Sequence, residues 1–161
     1  MLELIVKFIS IIFKKIYGYE AINLLFRILP SKFIIIILKQ FGAKIGSSVR
    51  IQSPFIIHNA DKNNLIFSNL EIGNNCYIGR DCLIDLMDSV IICNRVTISH
   101  RCILNTHTHG GKSEIIKDNR LPISQGPIKI NNDSYIGSNV TILENCEVGR
   151  KTIIGAKSLV N

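Results

Sequence analysis

Aliphatic residues recur every six positions from Ala43 almost to the last residue of the chain. The units IGNNCY at 72–77, IGRDCL at 78–83 and IGSNVT at 136–141 show the pattern most plainly. The fourth residue after most of the aliphatic positions is small or apolar, so each unit supplies two inward-facing side chains. The aliphatic positions are Ile45, Ile51, Ile57, Ile66, Ile72, Ile78, Ile84, Ile92, Ile98, Leu104, Ile130, Ile136, Ile142, Val148, Ile154 and Val160.

Glycine, asparagine and aspartate mark a corner in many of these units. Gly often follows the aliphatic residue directly, as at Gly73, and Asn or Asp often stands three residues after it, as at Asn75 and Asn139. These residue types tolerate turns and left-handed backbone conformations. A short strand and a corner in every six residues predict a parallel β-helix. Three units close one coil, coils stack about 4.8 Å apart, and the pattern is long enough for about five coils.

The sixfold period is interrupted in three places. Two short insertions, HNADKNN at 58–64 and MDSV at 87–90, fall where a corner is expected. The third interruption, at 105–129, begins with Thr-His-Thr-His and is rich in Gly, Pro and charged residues. A segment with this composition and no sixfold spacing is typical of a loop that shapes a site without carrying the stack. We therefore predict a long protruding loop over 105–129.

The first 42 residues have a different pattern, with polar residues at helical spacing among aliphatic and aromatic ones. We divide the chain into an amphipathic helical segment at 1–42 and a β-helix domain at 43–161. No apolar run approaches the roughly 20 residues that span a bilayer. The pattern allows two interpretations of the helical segment. In the first, it lies on an anionic membrane surface, with Lys7, Lys14, Lys15, Arg27 and Lys32 towards the headgroups. In the second, it caps the hydrophobic end of the coils or forms an oligomer contact.

Composition and charge narrow the class of protein. The chain has 161 residues and a formal charge of +7, and residues 1–50 contain eight Lys or Arg against two acidic residues. Basic residues are not interleaved with aromatic ones, so nucleic acid is a poor candidate partner. The five cysteines show no CxxC spacing, and Cys76, Cys82, Cys102 and Cys146 fall on inward positions. They behave there as small hydrophobic residues, and a reducing cytosolic location is expected.

The segment YIGSNVTILENCEVGRKTIIGAKSLV at 135–160 and the loop after Thr-His-Thr-His resemble the bacterial hexapeptide-repeat acyltransferases. Members of that family fold as left-handed parallel β-helices. The lead-in LPSKFIIIILKQFGAKIGSSVRI is similar to the branch that O-acetylates bacterial surface polysaccharides, which is related to the serine, maltose and galactoside O-acetyltransferases. The resemblance covers about residues 29–161. It implies acetyl-CoA as co-substrate, a homotrimer, a sugar or glycan acceptor, and a site between neighbouring coils.

The same resemblance implies the catalytic residues. In the family, a histidine at the start of the long loop removes the proton of the acceptor hydroxyl, and the Thr-x-Ser/Thr-His pattern places it at His109. An unperturbed imidazole has a pKa near 6.5, which suits a base that accepts and returns a proton near neutrality. His107 is expected to contact the loop or the acceptor, and an exchange of roles with His109 stays open. Asp85 occupies a position at which relatives carry Asp or Asn near the catalytic histidine. It orients His109, holds the acceptor, or only tolerates a corner backbone.

The resemblance also places the pantetheine arm of CoA along a corner in the last repeats. Backbone groups of Ser138 and Ala156 would bind it, Gly137 and Gly155 would permit its close approach, and Tyr135 would pack on it. Lys157, Arg150 or Lys151 would meet the phosphates. Relatives continue beyond the position of Asn161 through a Pro-rich turn and a basic tail. Either this sequence is truncated or its cofactor site is more open.

Two function classes follow. The first is an acetyl-CoA-dependent O-acetyltransferase acting on a sugar or surface-polysaccharide precursor, with a nucleotide-linked amino sugar or serine as other acceptors. The second is a non-catalytic trimeric β-helix scaffold. A metal site is not expected, because the spacing of the histidines does not resemble a three-histidine zinc site. The expected location is cytoplasmic, including the inner face of the plasma membrane if the helical segment binds lipid.

Overall fold

The computed structural model describes residues 1–60, 66–108 and 123–161. Three helices come first: α1 (Leu2–Tyr17), α2 (Glu20–Ile28) and α3 (Ser31–Gln40). Short parallel strands follow from Lys44 to Val160, as the sixfold pattern predicts.

The strands form three parallel sheets, each of five strands. The first sheet contains β1 (Lys44–Ile45), β4 (Leu70–Ile72), β7 (Val90–Ile92), β12 (Ile128–Ile130) and β15 (Glu147–Val148). The second contains β2 (Arg50–Ile51), β5 (Tyr77–Ile78), β8 (Thr97–Ile98), β13 (Tyr135–Ile136) and β16 (Ile153–Ile154). The third contains β3 (Phe55–His58), β6 (Cys82–Asp85), β9 (Ile103–Leu104), β14 (Thr141–Ile142) and β17 (Leu159–Val160).

Successive strands visit the three sheets in turn, so the chain is a parallel β-helix of five coils. The hand of the helix is left. The fold class predicted from the sequence is confirmed. The aliphatic residues of each unit stack directly, as in the pairings of Ile51 with Ile78 and of Ile78 with Ile98. The three sheets form the sides of a triangular prism, and these side chains are buried inside it. Ile154 was expected to be buried as well and is only half-buried, because no further described coil covers it.

The corners also follow the sequence pattern. The third residue after the aliphatic one has a left-handed backbone in ten units, including Asn75 with φ of 57° and Asn139 with φ of 59°. Arg95, Arg101 and Lys157 adopt the same conformation, although residues other than Gly, Asn and Asp rarely do. The stack therefore imposes the corner even on residues that do not favour it.

Helices α2 and α3 cover the open end of the first coil. The side chain of Asn23 donates to the carbonyl oxygen of Ile57 at 2.8 Å and accepts from its amide at 3.0 Å. It thereby makes the backbone hydrogen bonds that a further strand would make at the edge of β3. Ser31 Oγ accepts from the amide of Ile51 at 2.8 Å in the same way. Phe26 packs between Phe55 and Phe67 beneath the coil. Helices α2 and α3 therefore cap the first coil, which supports the interpretation of the N-terminal segment as a cap.

The stack is interrupted after β9, where β10 (His107–Thr108) and β11 (Ser124–Gln125) form a short antiparallel pair. The chain returns to the first sheet at Ile128, slightly before Ile130, where the sixfold pattern resumes in the sequence. The two strands form the base of the predicted loop, most of which lies outside the described residues.

Candidate active site

A histidine and a carboxylate lie in contact at the corner between the third and first sheets, which we call the loop corner. Asp85 is the last residue of β6, and His107 follows β9, which pairs with β6 one coil higher. Because the strands are in register, the chain leaving β9 passes over the end of β6 and brings His107 Nδ1 to 2.7 Å from Asp85 Oδ2. The corner thus joins two residues that are 22 positions apart.

Asp85 is fully buried, and its two oxygens are surrounded by donors. Thr106 donates to Oδ2 through its amide at 3.0 Å and its hydroxyl at 2.6 Å, and Asn59 Nδ2 donates to Oδ1 at 2.7 Å. Burial opposes ionisation, but the hydrogen bonds from Thr106, His107 and Asn59 outweigh it and hold the pKa of Asp85 below its usual range. The carboxyl group is therefore an anion near neutral pH.

An ionised Asp85 fixes the tautomer of His107. A carboxylate only accepts hydrogen bonds, so the proton of a neutral His107 ring lies on Nδ1 and the lone pair lies on Nε2. The imidazole is 18% exposed, and Asn59 Nδ2 lies 3.4 Å from Nε2. A partly exposed imidazole that a carboxylate orients is an arrangement suited to general-base catalysis. Asp85 itself has no left-handed backbone, so the explanation of this residue as a corner-tolerant Asp is wrong.

A second carboxylate, Glu144, lies one coil above the same corner. Its Oε1 accepts a hydrogen bond of 3.0 Å from Thr108 Oγ1 and another from Ser124 Oγ. Burial opposes the charge, but these hydrogen bonds, that from Ser124 above all, hold the pKa of Glu144 below its usual value. Oε2 is buried and has no hydrogen-bond partner within the described part of the chain. Glu144 therefore ties β10 to β11, the two ends of the loop.

Three residues of this site are not predicted by the sequence pattern: Asn59, Thr106 and Glu144. Asn59 and Thr106 lie at corner positions, where polar residues are common and carry no signal of their own. Glu144 had a weak signal, because ILENCE has Leu and Glu where the sixfold unit usually has Gly and a small polar residue. Counting the register from β9 to β14 would have placed it above Thr106.

The structure brings Asp85 and His107 together, whereas His109, which the resemblance makes the base, lies outside the described residues. Among the residues that are described, no group of three or more His, Cys, Asp or Glu side chains could hold a metal ion.

The residues expected to bind the cofactor lie at a different corner, between the second and third sheets, which we call the cofactor corner. Ser138 Oγ lies 2.7 Å from Ser99 Oγ of the coil below, and Ala156 and Lys157 stand on the coil above. Tyr135 is 46% exposed on the adjoining sheet, beside Ile153. An open groove of about 770 Å³ follows this corner downwards. Its lining includes Ser138, Asn139, Tyr77, Arg80, His100 and Arg101.

The two glycines of the cofactor corner have different reasons to be glycine. A Cβ on Gly137 would lie 2.6 Å from the amide nitrogen of Ala156, so the stacked backbone itself excludes a side chain there. A Cβ on Gly155 would meet nothing closer than Ser158 Oγ at 3.9 Å. Contacts among the described residues therefore require a glycine at Gly137 but not at Gly155.

Residues 127–161 match the family model described as "Bacterial transferase hexapeptide (six repeats)". The chain is 27% identical over 124 residues to the galactoside O-acetyltransferase of Escherichia coli K12 and, over the same length, to its putative colanic acid biosynthesis acetyltransferase WcaF. Each match covers 77% of this chain but only 57% and 62% of those proteins, respectively. The chain thus spans less than two thirds of the curated relatives that it matches.

Solved structures show the same fold. A hexapeptide-repeat acetyltransferase of Vibrio cholerae, in complex with acetyl-coenzyme A, superposes with a TM-score of 0.71 at 20% identity over 86% of this chain and 72% of that one. A maltose O-acetyltransferase of Clostridium difficile gives a TM-score of 0.68 at 20% identity over 93% and 78%. The resemblance to the hexapeptide-repeat acetyltransferases is thereby confirmed.

Proposed function

We propose that this protein transfers acetyl from acetyl-CoA to a hydroxyl group of a sugar or surface-polysaccharide precursor. The observation that carries the proposal is the buried, ionised Asp85 in contact with an oriented His107 at the base of a long loop. The family match and the names of the relatives, a galactoside O-acetyltransferase and a colanic acid acetyltransferase, support the reaction and the acceptor class.

In the proposed reaction His107 Nε2 takes the proton of the acceptor hydroxyl as its oxygen attacks the thioester carbonyl carbon. The carbonyl oxygen becomes the oxyanion of a tetrahedral intermediate, which backbone amides at a corner can stabilise. The C–S bond then breaks and the imidazolium returns the proton to the thiolate of CoA. The products are the acetyl ester and free CoA, with no covalent enzyme intermediate. Asp85 stabilises the imidazolium and keeps its orientation.

We assign the role of general base to His107 because its hydrogen bond with Asp85 orients the imidazole and would stabilise the imidazolium. The resemblance gives the role to His109, two residues further into the loop. In that case His107 would contact the acceptor, and the buried Asp85 would hold His107 in place. The two assignments differ in one residue and are separated by paired substitutions.

For acetyl-CoA we propose the cofactor corner, with the backbone at Ser138 and Ala156 along the pantetheine arm, Gly155 allowing its approach, and Tyr135 packing on it. Arg80 and Arg101 line the groove, Lys157 stands on the coil above, and these residues supply positive charge for the phosphates. The loop corner and the cofactor corner are different edges of one prism. We therefore propose a homotrimer in which the loop corner of one subunit meets the cofactor corner of its neighbour.

The experiment is acetyl transfer by the purified protein from acetyl-CoA to a panel of mono- and oligosaccharides, with the acetyl ester measured by mass spectrometry. Mass spectrometry is preferable to a thiol reagent, because the protein has five free cysteines of its own. Ester formation that is lost in His107→Ala supports the proposal. Binding of acetyl-CoA with no transfer to any sugar, nucleotide sugar or serine would favour the trimeric scaffold.

A further inference from the structure

The helix α1 packs against the cap with its polar side and turns its apolar side away from the protein. Only Val6 and Ser10 of this helix are buried. Glu3 pairs with Lys32 at 2.8 Å, the Lys14 ammonium lies 5.3 Å from the centre of the Phe41 ring, and Gln40 Nε2 donates to the carbonyl oxygen of Lys7. The charged groups of Glu3 and Lys14 thus make contacts within the chain.

The opposite side of the helix is almost entirely aliphatic and aromatic. At about 100° per residue, the outward residues fall within one half of the helical wheel. Leu4 is 71% exposed and Phe8 is 63% exposed. A continuous exposed surface of this kind is uncommon on a protein that has no partner for it. We call it the outer face of α1, and its members are Leu4, Ile5, Phe8, Ile11, Ile12 and Ile16.

We propose that the outer face of α1 inserts into the interfacial layer of an anionic lipid membrane and holds the β-helix at its surface. Lys15 projects from the same half of the helix, and the exposed Lys7 lies at its edge. Long lysine side chains bury their methylene groups beside apolar neighbours and place the ammonium among headgroups. Within the described residues no helix is long and apolar enough to cross a bilayer, so this helix would lie in the membrane plane.

The charge of the outer face favours lipid over a second copy of the chain. A symmetric contact between two such helices would bring two Lys15 side chains to one apolar interface. The only acidic residue of α1, Glu3, is on the other side and is paired with Lys32. An anionic headgroup layer supplies the negative charge that a second copy of this face lacks.

This inference does not depend on acetyl transfer, and it is tested by flotation of the full chain with vesicles. The vesicles are phosphatidylcholine alone or phosphatidylcholine with roughly one third phosphatidylglycerol. The wild type should float with the anionic vesicles, and less at high salt. The triple substitution Leu4→Ser, Phe8→Ser, Ile12→Ser should reduce binding at least about ten-fold. Lys15→Gln should reduce it by roughly five-fold on anionic vesicles only.

The control is Ile153→Ser with Leu159→Ser, which removes two exposed aliphatic side chains from the coil surface and should float like the wild type. Sedimentation velocity and circular dichroism are measured for every variant. Both should match the wild type, because serine on the outer face leaves the buried side of α1 intact. A wild type that does not float, or a triple variant that binds vesicles as well as the wild type, overturns the proposal. If the wild type does not float and the triple variant forms a smaller oligomer than the wild type, a second copy of the chain covers the outer face of α1 instead.

Discussion

Asp85 Oδ2 accepts a hydrogen bond of 2.7 Å from His107 Nδ1, although the two residues belong to successive turns of the β-helix. The carboxylate is buried and the imidazole is partly exposed, so a buried anion orients a ring that solvent can reach. The contact links a stacked coil, which is rigid, to the first residues of the long loop.

His107→Ala should lower kcat for acetyl transfer by about 10²–10⁴-fold and leave acetyl-CoA binding unchanged, because it removes the proposed base. His109→Ala should have a smaller effect. Both are measured at saturating acetyl-CoA, with binding followed by calorimetry. A large loss in His109→Ala and a mild loss in His107→Ala would return the base to His109, as the sequence resemblance implies. Equal, mild losses would mean that neither histidine is the base.

Asp85 should make the stability of the protein depend on pH in the acid range. Because the pKa of Asp85 is lowered in the folded state, its stabilising contribution is complete above the unfolded value of about 3.9 and is lost as pH falls through the lower folded value. The difference in unfolding free energy between the wild type and Asp85→Asn should therefore shrink as pH falls below about 4. Urea unfolding of both proteins at several pH values measures it. A difference that is constant down to pH 3 would contradict this role.

Glu144→Ala should loosen the base of the loop, because Thr108 and Ser124 lose their shared acceptor. We expect a several-fold rise in KM for the acceptor sugar with little change in acetyl-CoA binding. Glu144→Gln retains an oxygen acceptor and should be milder. The control is Glu147→Ala, which removes an exposed carboxylate paired with Lys129 on the next strand. If Glu147→Ala raises KM as much as Glu144→Ala, the loop contacts are not the cause.

Gly137→Ala should destabilise the protein by about 1–3 kcal/mol, because its Cβ would stand 2.6 Å from the backbone of the coil above. Gly155→Ala at the corresponding position has open space and should leave the free energy of unfolding nearly unchanged. Denaturant unfolding compares the two. The same pair tests the cofactor corner, since Gly155→Ala should weaken acetyl-CoA binding while the fold stays intact.

A site shared between subunits predicts complementation. His107→Ala and Ala156→Trp should each be inactive, one at the loop corner and the other at the cofactor corner. Trimers refolded from an equal mixture should regain activity, because about one site in four then has an intact residue on both sides. Sedimentation should show a trimer in every case. Inactive mixed trimers would place the two corners in separate sites, and an active wild-type monomer would remove the shared-site model.

The sequence alone determined the β-helix, its five coils and the positions of its corners. Each six-residue unit carries its own strand and turn residues, so the register follows from counting along the chain. Even the left-handed backbone at Asn75, Asn139 and Asn145 could be read from the residue type. The stacking of Ile78 on Ile51 and Ile98 needs no further information, because hydrogen bonds between coils repeat the same step.

Only the tertiary structure decided which residues meet where the period fails. The contact of Asp85 with His107, and those of Glu144 with Thr108 and Ser124, depend on how the inserted segment leaves the stack and returns to it. The orientation of α1 on the cap could not be predicted from the sequence either. Its hydrophobic pattern predicts an amphipathic helix but not which side packs on the cap, and contacts of Glu3 and Lys14 with Lys32 and Phe41 turn the apolar side outwards. Periodicity fixes the positions that repeat, whereas a single contact between distant segments depends on the path of the whole chain.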